Sequence, residues 1–202
     1  MSNSYQAMNE GSPSSPVVAS SAVETATTNY ERLYATRGEY QRQDTPQTLR
    51  EGLAEYYRVN PGLVAPETMD DEHSARYFHN HDTTHVIFGT HTGPLDEGVN
   101  DLLTMFGVAV SYPRYIKGFF QTKESQLVAK EYGKFSAGVV VRSVLGTLRL
   151  IPKIWRTCRA MHRKWPWEPP EGALDRPLAE LRAEYGIQVW RGEVVLDFPR
   201  DR

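Results

Sequence analysis

Tyr77-Phe78-His79-Asn80-His81-Asp82-Thr83-Thr84-His85-Val86-Ile87-Phe88 is the stretch that settles the fold class. Each residue of a helix advances about 100°, so Tyr77, His81, His85 and Phe88 share one face, and Gly89 and Gly93 break the helix after them. His81 and His85 stand one turn apart, with Asp82 inside the same arc. Two imidazoles at that spacing plus carboxylate oxygens are a ligand set for a divalent ion such as zinc. The competing reading is two satisfied core histidines on an aromatic stripe. Five of the six histidines lie between His73 and His91. Of these, His73, His79 and His91 lack the spacing and read as surface or loop residues.

The sequence before this helix is acidic and helical. Pro66-Glu67 reads as its opening, with Asp70, Asp71 and Glu72 suited to the positive end of the helix dipole. An earlier helix is expected from Thr45 as cap and Pro46 at the first helical position, with Leu49, Leu53 and Tyr56 or Tyr57 at helical spacing. Asn60-Pro61-Gly62 stops it. A short helix is expected from Tyr30 to Glu39. Residues 1–29 are rich in Ser, Thr, Asn and Ala and carry no Lys or Arg. They have too little to bury, so a disordered tail is expected. A secretory signal needs a basic start and an apolar run, and a mitochondrial presequence needs arginines. Neither pattern is present, and a cytoplasmic location is expected.

After the histidines, Thr92-Gly93-Pro94 turns into a further helix whose apolar stripe is Leu95, Val99, Leu102 and Phe106. Asp96 and Glu97 fall in its first turn, where the dipole favours carboxylates with no ligand role at all. Glu97 lies about 200° around the helix from Leu95, so periodicity turns it away from that stripe. Spacing alone does not bring Glu97 to the histidines.

The net charge of −2 conceals a strong asymmetry: residues 1–110 carry −9, residues 111–165 carry +10 and residues 166–202 carry −3. The basic segment is helical from Lys123 to Trp165, interrupted at Pro152. Val141, Val144 or Leu145, Leu148, Ile151, Trp155, Cys158, His162 and Trp165 form its apolar stripe. Arg142, Arg149, Lys153, Arg156 and Arg163 lie on the other side. Such a helix can pack on a core, or lie on an anionic membrane with Trp155, Trp165 and Trp167 near the interface. No apolar run is long enough to span a bilayer. Nucleic acid is not expected, because no recognised binding module accompanies the basic patch. The single cysteine, Cys158, excludes an intrachain disulfide and fits a reducing compartment. It stands one turn from His162, and two residues filling a packed face is the favoured reading over a nucleophilic pair. No nucleotide-binding glycine motif and no nucleophile elbow is present.

The run H-D-T-T-H-V-I-F-G-T-H-T-G-P-L-D-E, His81 to Glu97, resembles the signature of a family of ubiquinone (coenzyme Q) biosynthesis proteins, coenzyme Q protein four. The family pattern is H-D-x-x-H, eleven residues, then E, and the count here matches without a gap. Residues Arg176 to Ile187 resemble the family's C-terminal helix, and the resemblance spans roughly residues 46–187. The resemblance implies a mostly helical fold and a divalent metal, with zinc the expected ion, held by His81, Asp82, His85 and Glu97. It also implies work on polyprenylated ring precursors at a membrane surface, either as the enzyme of oxidative decarboxylation or as an organiser of a biosynthetic complex. The missing presequence and the segment after Ile187 depart from the family.

The expectation is therefore a mainly α protein. Residues 1–29 form a tail, residues 30–187 one helical domain, and residues 188–202 an extension that reads as two short strands or an extended tail between Gln188 and Phe198. The expected role is metal-assisted decarboxylation of a polyprenylated hydroxybenzoate by a peripheral membrane protein. A non-catalytic isoprenoid-binding scaffold is the alternative. An HD-type phosphohydrolase ranks last, since no suitably placed histidine precedes His73. Expected partners are an isoprenoid lipid, the membrane surface (through Arg149, Lys153, Trp155, Arg156, Arg163 and Trp165), other ubiquinone-biosynthesis proteins and further copies of the chain.

Overall fold

The computed structural model describes residues 38–92, 94–123, 125 and 137–191. The expected tail, the helix expected from Tyr30 up to Arg37, the start of the helical run after Lys123 and the strand residues Val194 to Leu196 lie outside the described residues. What is described is mainly helical. Six α-helices are α1 (Leu49–Val59), α2 (Glu72–Phe88), α3 (Pro94–Gly107), α4 (Tyr112–Phe120), α5 (Ala137–Arg159) and α6 (Leu178–Tyr185). Two short strands, β1 (Val108–Ala109) and β2 (Trp165–Pro166), pair in parallel, with Val108 opposite Trp165.

The first two helices start later than the sequence suggests, for identifiable reasons. Thr48, not Thr45, caps α1: its hydroxyl accepts the Glu51 N–H while the Glu51 carboxylate accepts the Thr48 N–H. That reciprocal pair outcompetes a proline start. It leaves residues 45–47 extended, where the Gln47 carbonyl accepts the Leu178 N–H at 2.7 Å. Pro66–Thr68 forms only a separate 3-10 turn, and α2 begins at Glu72 with Asp71 capping Ser74. At the other end Gly89 adopts φ 71°, the left-handed conformation that terminates the helix as its two glycines suggest.

Helix α2 is the axis of the fold. From Asp82 to Phe88 every residue is buried, because α1, α3 and the chain after α6 all pack on it. Gly52 makes the close approach of α1 feasible: a Cβ there would meet Leu178 and Val86 at 2.8 Å. Arg182 of α6 is fully buried and is held by four main-chain carbonyls. Its guanidinium donates to Ile87, Val86, Tyr40 and Arg42. Residues 188–191 do not behave as an extension. Val189 and Trp190 are buried, and the Trp190 N–H donates to the Phe88 carbonyl at 2.8 Å, so the helical domain continues past Ile187.

Helix α5 packs along α3 on a stripe that shares Ile151 and Cys158 with the one periodicity selects but is turned towards Leu150 and Ile154. Ile154 and Cys158 are buried, with Leu150 and Ile151 partly so. Thr147 fits against Gly98, where a Cβ would stand 2.6 Å from its hydroxyl. This close approach rotates the helix and leaves Val141, Val144, Leu145, Leu148 and Trp155 each about half exposed. Trp165 is corrected outright. It is 0 % exposed, paired in β2 and packed edge-on against Tyr185, so it cannot meet a membrane. No helix among the described residues is long and apolar enough to cross a membrane.

Candidate metal centre

Helix α2 presents His81 and His85 one turn apart, with their ring centroids 4.8 Å from each other. Helix α3 presents Glu97 across from them. Its Oε2 lies 3.3 Å from His85 Nε2 and 3.9 Å from His81 Nε2. One ligand atom from each of the three falls within 4.8 Å of the others, a spacing that a single ion can bridge.

Glu97 reaches the histidines because α3 has two buried faces. Val99, Leu102 and Leu103 enter the apolar core. The opposite side carries Glu97, Asn100, Asp101 and Thr104, at i, i+3, i+4 and i+7, and it faces α2. Asn100 and Thr104 are fully buried there. That polar stripe was the legible signal for Glu97. Reading only the apolar stripe turned the residue outward.

Asp82 is not drawn into the cluster. Its Oδ2 accepts the Tyr57 hydroxyl at 2.8 Å, and its Oδ1 stands 3.6 Å from His81 Nδ1. At that distance it makes no hydrogen bond to His81, but its charge favours the protonated imidazole. The structure thus brings together His81, His85 and Glu97 and sets Asp82 beside them.

The donor set suits a divalent ion on chemical grounds. His85 is fully buried, and its Nε2 has no hydrogen-bond partner among the described residues: Glu97 is near, but off the line an N–H would need. A buried nitrogen facing a carboxylate without a bond between them is an arrangement that could hold a cation. Burial works against charge on Glu97, yet His85, His81 and His91 outweigh it and hold the carboxyl below its ordinary range. Burial likewise opposes charge on His81, but Asp82, Glu97 and Asp101 prevail and hold its pKa up at about 9. The metal-free site therefore keeps a proton that an ion must displace. Ion affinity should rise by about tenfold per pH unit from neutrality and level off near pH 9. Calorimetric titrations between pH 6.5 and 9.5 would read that slope, and a flat profile would mean His81 is not displaced.

Around the triad the walls are aromatic. Tyr56 stacks on His85 at 5.4 Å, while Tyr77 and Tyr115 stack on His81 at 6.2 and 6.3 Å. The Tyr115 hydroxyl donates to Asp101 at 2.5 Å, and burial pushes the Asp101 carboxyl up despite His81 and Tyr115. Asp101, Tyr115, Thr90 and Asn100 were not singled out in the sequence. Only the polar stripe of α3 pointed at two of them.

The other candidates resolve as follows. Burial pushes the Cys158 thiol up to about 11, and His162 is exposed, so no nucleophilic pair forms. Arg149, Lys153, Trp155 and Arg156 are exposed on α5. Lys153 lies 4.9 Å over the Trp190 ring, and Arg159 lies 5.1 Å over that of Trp155. Arg163 pairs with Glu184 and stacks on Tyr185 at 4.2 Å, so it is engaged on the protein's own surface. No protein-family model matches the chain, and neither a curated protein nor a solved structure gives a match.

Proposed function

We propose that this chain binds one divalent ion, zinc first, through His81, His85 and Glu97. With it the protein removes the ring carboxylate from a polyprenylated hydroxybenzoate-type precursor of ubiquinone at a membrane surface. The observation that carries the metal reading is Glu97 lying across from two imidazoles, one of them fully buried with an Nε2 that has no hydrogen-bond partner among the described residues. The substrate rests on the resemblance of His81 to Glu97 to the coenzyme Q signature, with an aromatic surround that suits a ring. Two histidines and a carboxylate also hold ferrous iron, so metal analysis chooses between the two.

A bound ion would supply Lewis-acid stabilisation of the oxygen next to the departing carboxylate. The protein's own groups do the rest. Tyr77 and Tyr115 exclude water and present ring faces, and Asp101 beside His81 is a carboxyl held towards its protonated form. In the simple reaction the ring-to-carboxylate bond breaks, carbon dioxide leaves and the ring carbon takes a proton. In the oxidative form water supplies the hydroxyl that takes the carboxylate's place, carbon dioxide leaves, and dioxygen takes up the two electrons and two protons and departs as hydrogen peroxide.

The half-exposed apolar stripe of α5, flanked by exposed Arg149, Lys153, Arg156 and Arg159, supports a membrane-lying face. Residues 137–159 contain no acid. Vesicles with anionic lipid should carry the protein upward in flotation, and Arg149→Glu with Arg156→Glu should leave it at the bottom. Unchanged flotation would make the stripe ordinary surface.

The alternative is a scaffold in which the ion only ties α2 to α3, and the burial of His85 favours it. Incubating the loaded protein with a carboxylated polyprenyl precursor separates the two. A decarboxylated ring, found by mass detection and absent with Glu97→Gln, supports the enzyme. A copurifying prenyl lipid with no turnover supports the scaffold.

A further inference from the structure

We propose that Thr90 and Asn100 are positioning residues that hold a proton on Nδ1 of the His85 imidazole, so that Nε2 faces the triad. This deepens the metal reading above and rests on it for its purpose, though the lock itself follows from hydrogen bonding alone.

The argument runs along one chain of heavy atoms. The Thr84 hydroxyl donates its only proton to the His81 carbonyl at 2.6 Å, so its oxygen can only accept from other groups. Asn100 Nδ2 donates to that oxygen at 2.9 Å. The Asn100 amide is thereby oriented, and its Oδ1 turns to Thr90, whose hydroxyl donates to it at 3.2 Å. With that proton spent, Thr90 has only lone pairs left for His85 Nδ1, 2.9 Å away. Nδ1 must then be the donor. Nε2 is fully buried, 3.3 Å from Glu97 Oε2 and without a hydrogen bond among the described residues.

The reverse polarity is disfavoured. Flipping the Asn100 amide would set its oxygen against Thr84, whose proton is already held by a main-chain carbonyl, and its NH2 against Thr90. Thr84, Thr90, Asn100 and His85 are all 0 % exposed, so bulk water cannot repair the mismatch. The relay starts at the carbonyl of His81 and ends at the ring of His85. It thus ties the geometry of one proposed ligand to the proton of the other. Outer-shell hydrogen bonds of this kind fix tautomer and ring orientation at metal-binding histidines.

The test is two-bond proton–nitrogen correlation on nitrogen-labelled, metal-free protein at pH 8, with zinc titration beside it. The wild type should give the Nδ1–H pattern for His85. Thr90→Val, which keeps the volume and removes the hydroxyl, should move the ring towards the Nε2–H form and weaken zinc binding about 10–100-fold. Thr90→Ser should restore both. A wild-type ring protonated on Nε2 alone, or a Thr90→Val protein matching wild type in spectrum and affinity, would overturn the lock. The wild-type spectrum decides even if Thr90→Val does not fold. If wild type shows the Nδ1–H form but takes up no zinc, the lock stands and the metal reading alone fails.

Discussion

His85→Ala is expected to take the divalent ion out of the protein. The side chain is the most buried of the three proposed ligands, and its Nε2 has no hydrogen-bond partner among the described residues. Losing an outer-shell partner typically costs about 10–100-fold in metal affinity. Losing one of three inner ligands should exceed that, and purified His85→Ala should carry essentially no bound ion where wild type carries about one. His73→Ala is the control, since His73 is exposed and its ring meets the Gly118 carbonyl at 3.3 Å, outside the cluster of His81, His85 and Glu97. Wild-type metal content in His85→Ala, read by elemental analysis after dialysis against a weak chelator, would rule out the triad. Fold loss is separable by the helical signal in circular dichroism.

Arg182→Met should produce the largest loss of stability of any single change considered. Burial pushes the guanidinium down to about 10, so it still carries its charge at neutral pH. It donates to four carbonyls: Ile87 and Val86 at the end of α2, and Tyr40 and Arg42 in the segment before α1. Methionine fills most of the volume and satisfies none of them. Leaving buried acceptors unpaired costs about 1–3 kcal/mol each, and breaking a buried charged group's contacts typically costs about 3–5 kcal/mol overall. Arg182→Lys should be nearly as damaging, because one ammonium cannot span four acceptors in a fork. Urea unfolding would measure both. A loss under about 1 kcal/mol for Arg182→Met would show that the carbonyls find other donors.

Much of this could be read in the residues, and what could not has physical causes. The helix through His81 and His85 is legible because its aromatic and histidine positions repeat at the helical period and Gly89 closes it. Its start lies beyond Pro66, a competent opener, because Asp71 caps it through a side-chain bond that only the folded chain reveals, as Thr48 does for α1. For α5 the sequence offers two apolar stripes. Which of them is buried depends on how closely Thr147 and Gly98 approach, a fact about the partner helix. Trp165 read as an interfacial aromatic because nothing local announces β2, a two-residue strand paired with residues far back in the chain.

The site divides in the same way. His81 and His85 could be read from spacing. Glu97 was missed by the apolar period and supplied by resemblance, although the polar stripe it shares with Asn100, Asp101 and Thr104 was there to see. Asp82 has the right chemistry and the right helix, but the Tyr57 hydroxyl takes its carboxylate. Arg182 sits in a stretch of ordinary helical composition, and no local pattern distinguishes an arginine that ties three segments together.

The most direct test is X-ray absorption at the edge of the ion bound to stoichiometrically loaded protein. The predicted inner shell holds nitrogen and oxygen only, with multiple scattering from two imidazoles, and zinc-to-nitrogen distances of about 2.0–2.1 Å if the ion is zinc. His85→Ala should bind too little ion to give that signal. A shell containing sulfur, a shell with one imidazole or none, or the same spectrum from His85→Ala would contradict a centre built from His81, His85 and Glu97.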